Sequence, residues 1–261
     1  MKLYMFQCGV IKTQKHLITM GRGIGQPFSV PVPFFLITHP KGNVLFDTGN
    51  ALAVARDKVK HWGAKVVETS DPIMNEDDYV VAQLAKIGVK ASEITHVIFS
   101  HLHLDHAGGT GEFANATYYT QRAEMQYAYV PDFFQAAAYI RDDFDKPHLA
   151  WRLLNGHLED YYDVFGDGKL QIVFAPGHTP GSQSLLVNLE KWGSTLLTGD
   201  SVYTEEILDE DVLPGLVHSP TDAIQSIQKI RDLRRLNGVR IITGHDPVAW
   251  AGFNQVPAYY E

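Results

Sequence analysis

The chain has 261 residues, 45% hydrophobic and 20% charged, with a formal net charge of -8, so it can bury a sizeable core as one large domain or two small ones. That acidic balance excludes a phosphate-binding face of concentrated Lys and Arg, leaving no expected nucleic-acid partner and no steering of an anionic substrate. One cysteine, Cys8, rules out an intramolecular disulfide, and Met1–Val10 holds no signal-peptide core. No stretch approaches the roughly 18–20 apolar residues of a membrane span, so the expected location is the cytoplasm.

Lys2–Gln7 alternates as a strand and is followed by a glycine-rich loop, Gly21–Gly25. Phe34–Thr38 and Val44–Phe46 form a strand pair across the turn His39–Asn43, and the pair ends in Asp47-Thr48-Gly49. Glu76–Ile87 carries acids in its first turn, Val80, Leu84 and Ile87 on one face and Gly88 beyond its end, which predicts a helix. Thr95–Phe99 is a short apolar strand. The stretch 113–165 is helical in pattern and holds seven of the twelve tyrosines, among them Tyr127, Tyr129 and Tyr139. Such an aromatic insert suits a packed core or the interface of a homodimer, with some rings facing a substrate. Ser184–Leu189 and Thr195–Thr198 form a second strand pair ending in Gly199-Asp200. Pro220–Leu236 is a helix with Ser219 as its N-cap, a buried stripe of Ile224, Ile227, Ile230 and Leu233, and Asn237-Gly238 as its stop. Val239–Ile242 is a last strand running into Gly244-His245. Two strand pairs ending in an acid suggest two similar α/β halves, and no Pro/Gly/Ser linker separates them. The expectation is one domain, 1–261.

The segment Ser100-His101-Leu102-His103-Leu104-Asp105-His106-Ala107-Gly108-Gly109 places four strong metal ligands within six residues, directly after a strand. Imidazole nitrogen and carboxylate oxygen suit zinc and similar divalent ions. Burying these groups without a metal leaves polar atoms unpaired at a few kcal/mol each. His101 and His103 can converge on one ion while Asp105 and His106 face a second, and Gly108 and Gly109 let the backbone approach closely and begin a helix. Three further ligands stand just past strands beside glycine: His178, Asp200 and His245. Loops at strand ends converging on one rim are how α/β proteins build sites.

His-x-His-x-Asp-His followed by Gly-His, Gly-Asp and Gly-His resembles the metallo-β-lactamase superfamily over essentially the whole chain. The resemblance implies an α/β αββα sandwich, two mixed β-sheets flanked by helices. It assigns His101, His103 and His178 to one metal, Asp105, His106 and His245 to the other, and Asp200 to both. It thus implies two divalent ions per chain (zinc first, with cobalt, iron or manganese compatible) and a bridging hydroxide.

Within that superfamily, Cys8 lies at the wrong end for a β-lactamase ligand. The residues after His245 contain no Lys or Arg, unlike the basic C-terminal region of glyoxalase II-type thioesterases. Asp200-Ser201-Val202-Tyr203 resembles the Asp-x-x-Tyr element of N-acyl homoserine lactonases. Phe6-Gln7-Cys8-Gly9, Val30-Pro31-Val32-Pro33-Phe34-Phe35, His61-Trp62-Gly63 and Tyr127-Ala128-Tyr129-Val130-Pro131-Asp132 are similar to that family too. The implied reaction is opening of the lactone ring of an N-acyl homoserine lactone, a quorum-quenching activity. Its alternatives are another small-lactone hydrolase of pyridoxolactonase type, a glyoxalase II-like thioesterase, or a protein that binds metal without catalysis. Asp105, Asp200 and Tyr203 are the catalytic candidates, Tyr203 as donor to the developing oxyanion and Asp200 as a proton carrier. Met20, Phe28, Trp62 and Tyr203 are the candidates for substrate binding. Asp47 is either an acceptor for a ligand histidine N–H or a turn residue. His16, His39, His61, His96, His148, His157 and His218 lack ligand spacing and receive no ligand role, with His96 expected to pack.

Overall fold

In β1 (Lys2–Gln14) successive side chains point to opposite faces, so Leu3 and Met5 enter one apolar cluster while Phe6 and Cys8 enter another. That division organises the molecule, whose computed structural model describes residues 1–261. The remaining strands are β2 (Pro27–His39), β3 (Gly42–Phe46), β4 (Asp71–Ile73), β5 (Ile94–Ile98), β6 (Thr117–Gln121), β7 (Ala150–Leu154), β8 (Tyr161–Asp163), β9 (Leu170–Phe174), β10 (Gln183–Leu189), β11 (Gly193–Leu197) and β12 (Arg240–Ile242). They form a seven-stranded sheet in the order β4-β1-β2-β3-β5-β6-β7 and a five-stranded sheet in the order β12-β11-β10-β9-β8. Both are mixed: β1, β2 and β3 pair antiparallel while β3, β5, β6 and β7 pair parallel, and β11 pairs parallel with β12 alone.

An apolar layer of 18 buried residues takes Met5, Phe35, Phe46 and Ile98 from the larger sheet and Leu185, Leu197 and Ile242 from the smaller one, which seals the two sheets face to face. A second cluster of 38 buried residues covers the outer faces, where the helices lie. Val54 and Trp62 of helix Leu52–Trp62 and Leu84 of helix Val80–Ala85 join it on one side, and Ile227 and Ile230 of helix Pro220–Asn237 join it on the other. Each fully buried side chain of this kind contributes about 1.5–3 kcal/mol. This is the αββα sandwich expected from the sequence. No helix is long and apolar enough to cross a membrane.

The long helix forms where expected. Ser219 Oγ accepts the N–H of Asp222 at 3.3 Å, Pro220 opens the first turn, and Gly238 takes the left-handed conformation (φ 63°) that ends it. Its buried stripe differs by one position: Ala223, Ser226, Ile227 and Ile230 face inward, while Ile224 is 58% exposed. Ala223, Ile227 and Ile230 follow the i, i+4, i+7 line, and Ile224 stands about 100° away from Ala223. Glu76–Ile87 is also revised, into a tight turn Glu76–Asp78 and a helix Val80–Ala85, because Tyr79 between them is extended (ψ 143°). The aromatic insert is only partly helical. It holds helix Arg122–Tyr129 and the short Arg141–Phe144, but also β6, β7 and β8, which extend both sheets. In β6, Tyr118 and Tyr119 point into the two different clusters, which is strand behaviour.

Candidate metal centre

Every residue of the centre stands just past a strand. Asp47 follows β3, His101–His106 follow β5, His178 follows β9, Asp200 follows β11 and His245 follows β12. β3 and β5 are parallel, as are β11 and β12, and β9 shares their direction because two antiparallel pairings separate it from β11. The loops therefore leave along one edge of the sandwich.

Two ligand sets meet there. His178 Nε2 lies 3.2 Å from His101 Nε2 and 3.0 Å from His103 Nδ1. In the other set His245 Nε2 and His106 Nε2 lie 3.5 and 3.6 Å from Asp105 Oδ2. Asp200 divides its carboxylate between them: Oδ2 stands 3.4 Å from His178 Nε2, whereas Oδ1 stands 3.1 Å from His245 Nε2 and 3.2 Å from His106 Nε2. The seven residues expected to ligate metal are thus brought together, all of them at or below 9% exposure.

These groups fit a pair of divalent cations and fit little else. His106 Nε2 and Asp200 Oδ1, both facing the centre, are buried without a hydrogen-bond partner, a costly state for polar atoms that receive no other ligand. Nitrogens arranged tetrahedrally around one zinc, at about 2.0–2.1 Å, stand ~3.3 Å apart, close to the separations in the three-histidine set. The far nitrogens are oriented as well. His178 Nδ1 donates to the Leu216 carbonyl at 2.9 Å, His245 Nδ1 to the Pro31 carbonyl at 2.8 Å, and His106 Nδ1 to Asp47 Oδ2 at 2.9 Å. Such contacts turn Nε2 toward the centre.

Asp47 therefore serves both roles weighed for it. It takes a positive φ of 58°, and its buried carboxylate also accepts the Ser100 N–H at 2.7 Å and the Ser100 hydroxyl at 2.8 Å. Beside it, Thr48 donates from N and Oγ1 to the His106 carbonyl at 2.9 and 2.8 Å. Gly108 approaches as expected: a Cβ there would sit 2.0 Å from Ala51 N. No regular helix starts at Gly108 or Gly109, however, because the backbone continues in turns that bond to Gly49 and Thr48.

The two sets differ electrically. Burial pulls His101, His103 and His178 below the usual histidine range. Burial works the same way on His106 and His245, but Asp200 and Asp105 override it and hold both above that range, with Asp47 adding to the effect on His106.

A cavity of about 320 Å³ opens on the centre. His103, Asp105, Asp200, Tyr203 and His245 form its polar end; Ile11, Leu17, Ile18, Val30, Val66, Phe134 and Leu216 are among its apolar walls. Tyr203 is in place, with its ring centroid 5.4 Å from those of both His178 and His245. The other three substrate-binding candidates, Met20, Phe28 and Trp62, are not among the residues that line this cavity. Trp62 is 5% exposed and packed in the core, the Phe28 ring lies under the Lys15 ammonium, and Met20 is 45% exposed. Of the aromatic insert, Phe134, Ala137 and Ala138 reach the cavity and its tyrosines do not. His96 packs, stacked on Tyr119 at 5.7 Å, and His61 pairs with Asp143 at 3.0 Å.

Seven side chains able to ligate metal on one edge of an αββα sandwich, with one carboxylate shared between two sets, form a site suited to two metal ions. The chain belongs to the metallo-beta-lactamase superfamily, whose model matches residues 29–245. It is 48% identical over 260 residues to the N-acyl homoserine lactonase AttM of Azorhizobium caulinodans, covering 100% of this chain and 98% of that one. Among solved structures it is similar to a variant of Bacillus thuringiensis AiiA with N-decanoyl-L-homoserine bound at the active site, at TM-score 0.89 and 29% identity, covering 99% and 98% of the two chains. An N-acyl homoserine lactone hydrolase with its product N-hexanoyl-L-homoserine at the catalytic metal centre matches at TM-score 0.88 and 29% identity, with the same coverage.

Proposed function

We propose that this protein is a metal-dependent hydrolase that opens the lactone ring of N-acyl homoserine lactones, with zinc as its metal and the cytoplasm as its location. The observation that carries the proposal is the double ligand set, shared through Asp200, opening onto an apolar cavity of about 320 Å³. A polar ring at the ligands and an acyl chain along Leu17, Ile18, Val30 and Val66 match that division of surface. The AttM relative and the product-bound hydrolase supply the substrate class.

In the reaction water adds across the acyl C–O bond of the ring: hydroxide goes to the carbonyl carbon and a proton to the departing ring oxygen. When bound, two divalent ions bring the pKa of water from about 15.7 to near 7 and polarise a carbonyl. Burial, with Asp200 and Asp105 nearby, holds the Tyr203 phenol well above the usual tyrosine range, so it remains a proton donor at neutral pH. From the cavity wall its hydroxyl donates to the oxyanion that develops on the carbonyl oxygen. Asp200 and Asp105 reach the same space, and Asp200 carries the proton to the ring oxygen.

The test is metal per chain together with proton release on a panel of acyl homoserine lactones, γ-lactones, thioesters and phosphodiesters. About two metals and fast, chelator-sensitive opening of acyl homoserine lactones is the expected result. Two metals with faster thioester or phosphodiester cleavage would refute the substrate while leaving the centre intact.

A further inference from the structure

Behind the three-histidine set lies a carboxylate that the reaction does not use. Glu124, in the first turn of helix Arg122–Tyr129, is 0% exposed. A carboxylate taken out of water needs full hydrogen bonding, and this one has it. Oε1 accepts the Leu102 N–H at 2.9 Å and the Tyr139 hydroxyl at 2.9 Å. Oε2 accepts the Thr179 hydroxyl at 2.5 Å. Leu102 stands between His101 and His103, and Thr179 follows His178. One buried group therefore grips both loops that carry the three histidines. Packing supports the grip: a Cβ on Gly181 would sit 2.4 Å from Glu124 Cβ, and the Tyr139 ring packs edge-on against His103 at 4.6 Å.

We propose that Glu124 is a positioning residue that sets the separation between the His101–His103 loop and the His178 loop, and so controls metal affinity in the three-histidine half alone. No comparable contact runs from Glu124 to the other half, whose histidines are oriented by Asp47 and by Pro31. Three donors meet the carboxylate, so an amide is a poorer substitute: its NH2 is received only if a hydroxyl that now donates turns away to accept.

The proposal rests on the dinuclear reading of the site, and the experiment separates the two. Zinc retained per chain is measured against chelator concentration for the unaltered protein and Glu124→Gln, each also combined with His245→Ala or His178→Ala. Loss of affinity at contacts supporting ligands is about 10–100-fold. The expected result is that one of two zinc ions becomes weaker by that factor while the other is unchanged. With His245→Ala the remaining zinc weakens; with His178→Ala it does not. Equal chelator resistance of Glu124→Gln and the unaltered protein would overturn the proposal. So would parallel weakening of both ions with a lowered thermal midpoint of the chelated protein, the signature of a merely structural residue. If Glu124→Gln does not fold, Thr179→Val and Tyr139→Phe each remove one donor, and a selective but smaller weakening is expected from both. If the unaltered protein fails to hold two zinc ions, the dinuclear reading itself fails.

Discussion

The two ligand sets share one edge and one bridging carboxylate, yet they are built differently. The three-histidine set presents imidazoles that burial keeps neutral, backed by the Leu216 carbonyl and by Glu124 acting on the backbone. The other set gathers Asp105, Asp47 and its share of Asp200 around His106 and His245. A cation therefore meets mainly neutral donors in the first and anionic donors in the second. Charge and neutrality are separated here over a few ångströms, by Asp105 standing where the other set has a third histidine and by Asp47 standing behind His106.

The comparison breaks most completely at its shared member. Asp200→Asn is expected to disturb metal content in both halves and to lower turnover on the order of 10³-fold, about 4 kcal/mol, read by metal analysis beside steady-state rates. Retention of two metals and normal rates would remove Asp200 from the bridge. Tyr203→Phe is expected to lower kcat about 10²-fold while both metals stay, since the ring touches one histidine of each half without replacing a ligand. Unchanged kcat on several lactones would exclude the hydroxyl from the chemistry. Asp47→Ala is expected to weaken metal in the carboxylate half by about 10–100-fold, and equal weakening of both ions in a chelator titration would contradict that selectivity. In the unaltered protein, chelator is expected to empty the three-histidine half first, giving a plateau at one metal per chain; His178→Ala and His245→Ala assign the half that remains. Met20→Ala, outside the cavity, is expected to change kcat/KM by about twofold or less.

The seven side chains that meet at the centre could be picked out in the sequence, because each stands beside glycine just past an apolar run or in the dense segment after β5. Of the strands that deliver them, β5, β11 and β12 were readable for the same reason, whereas β9 was not delimited in the sequence. The cavity walls were not. Ile11, Val30, Val66, Phe134 and Leu216 come from segments far apart in the chain, and nothing local marks a side chain as facing a cavity rather than the core. Trp62 illustrates the difficulty, since a large ring offered as a groove candidate is buried in the helix-covered cluster. Glu124 was equally hidden, because its partners are a backbone N–H and two distant hydroxyls, and neither kind leaves a residue pattern. In β6 the aromatic content masked a strand, although tyrosines directed to opposite faces are what a strand between two apolar layers accommodates.

The contact between His245 Nδ1 and the Pro31 carbonyl spans 214 positions of the chain. During synthesis Pro31 is made 214 residues before His245, so the carboxylate half of the centre cannot close until the chain has been made through His245. The two halves are thus completed at different points along the chain, the three-histidine set once His178 and Asp200 are in place and the carboxylate set only with His245.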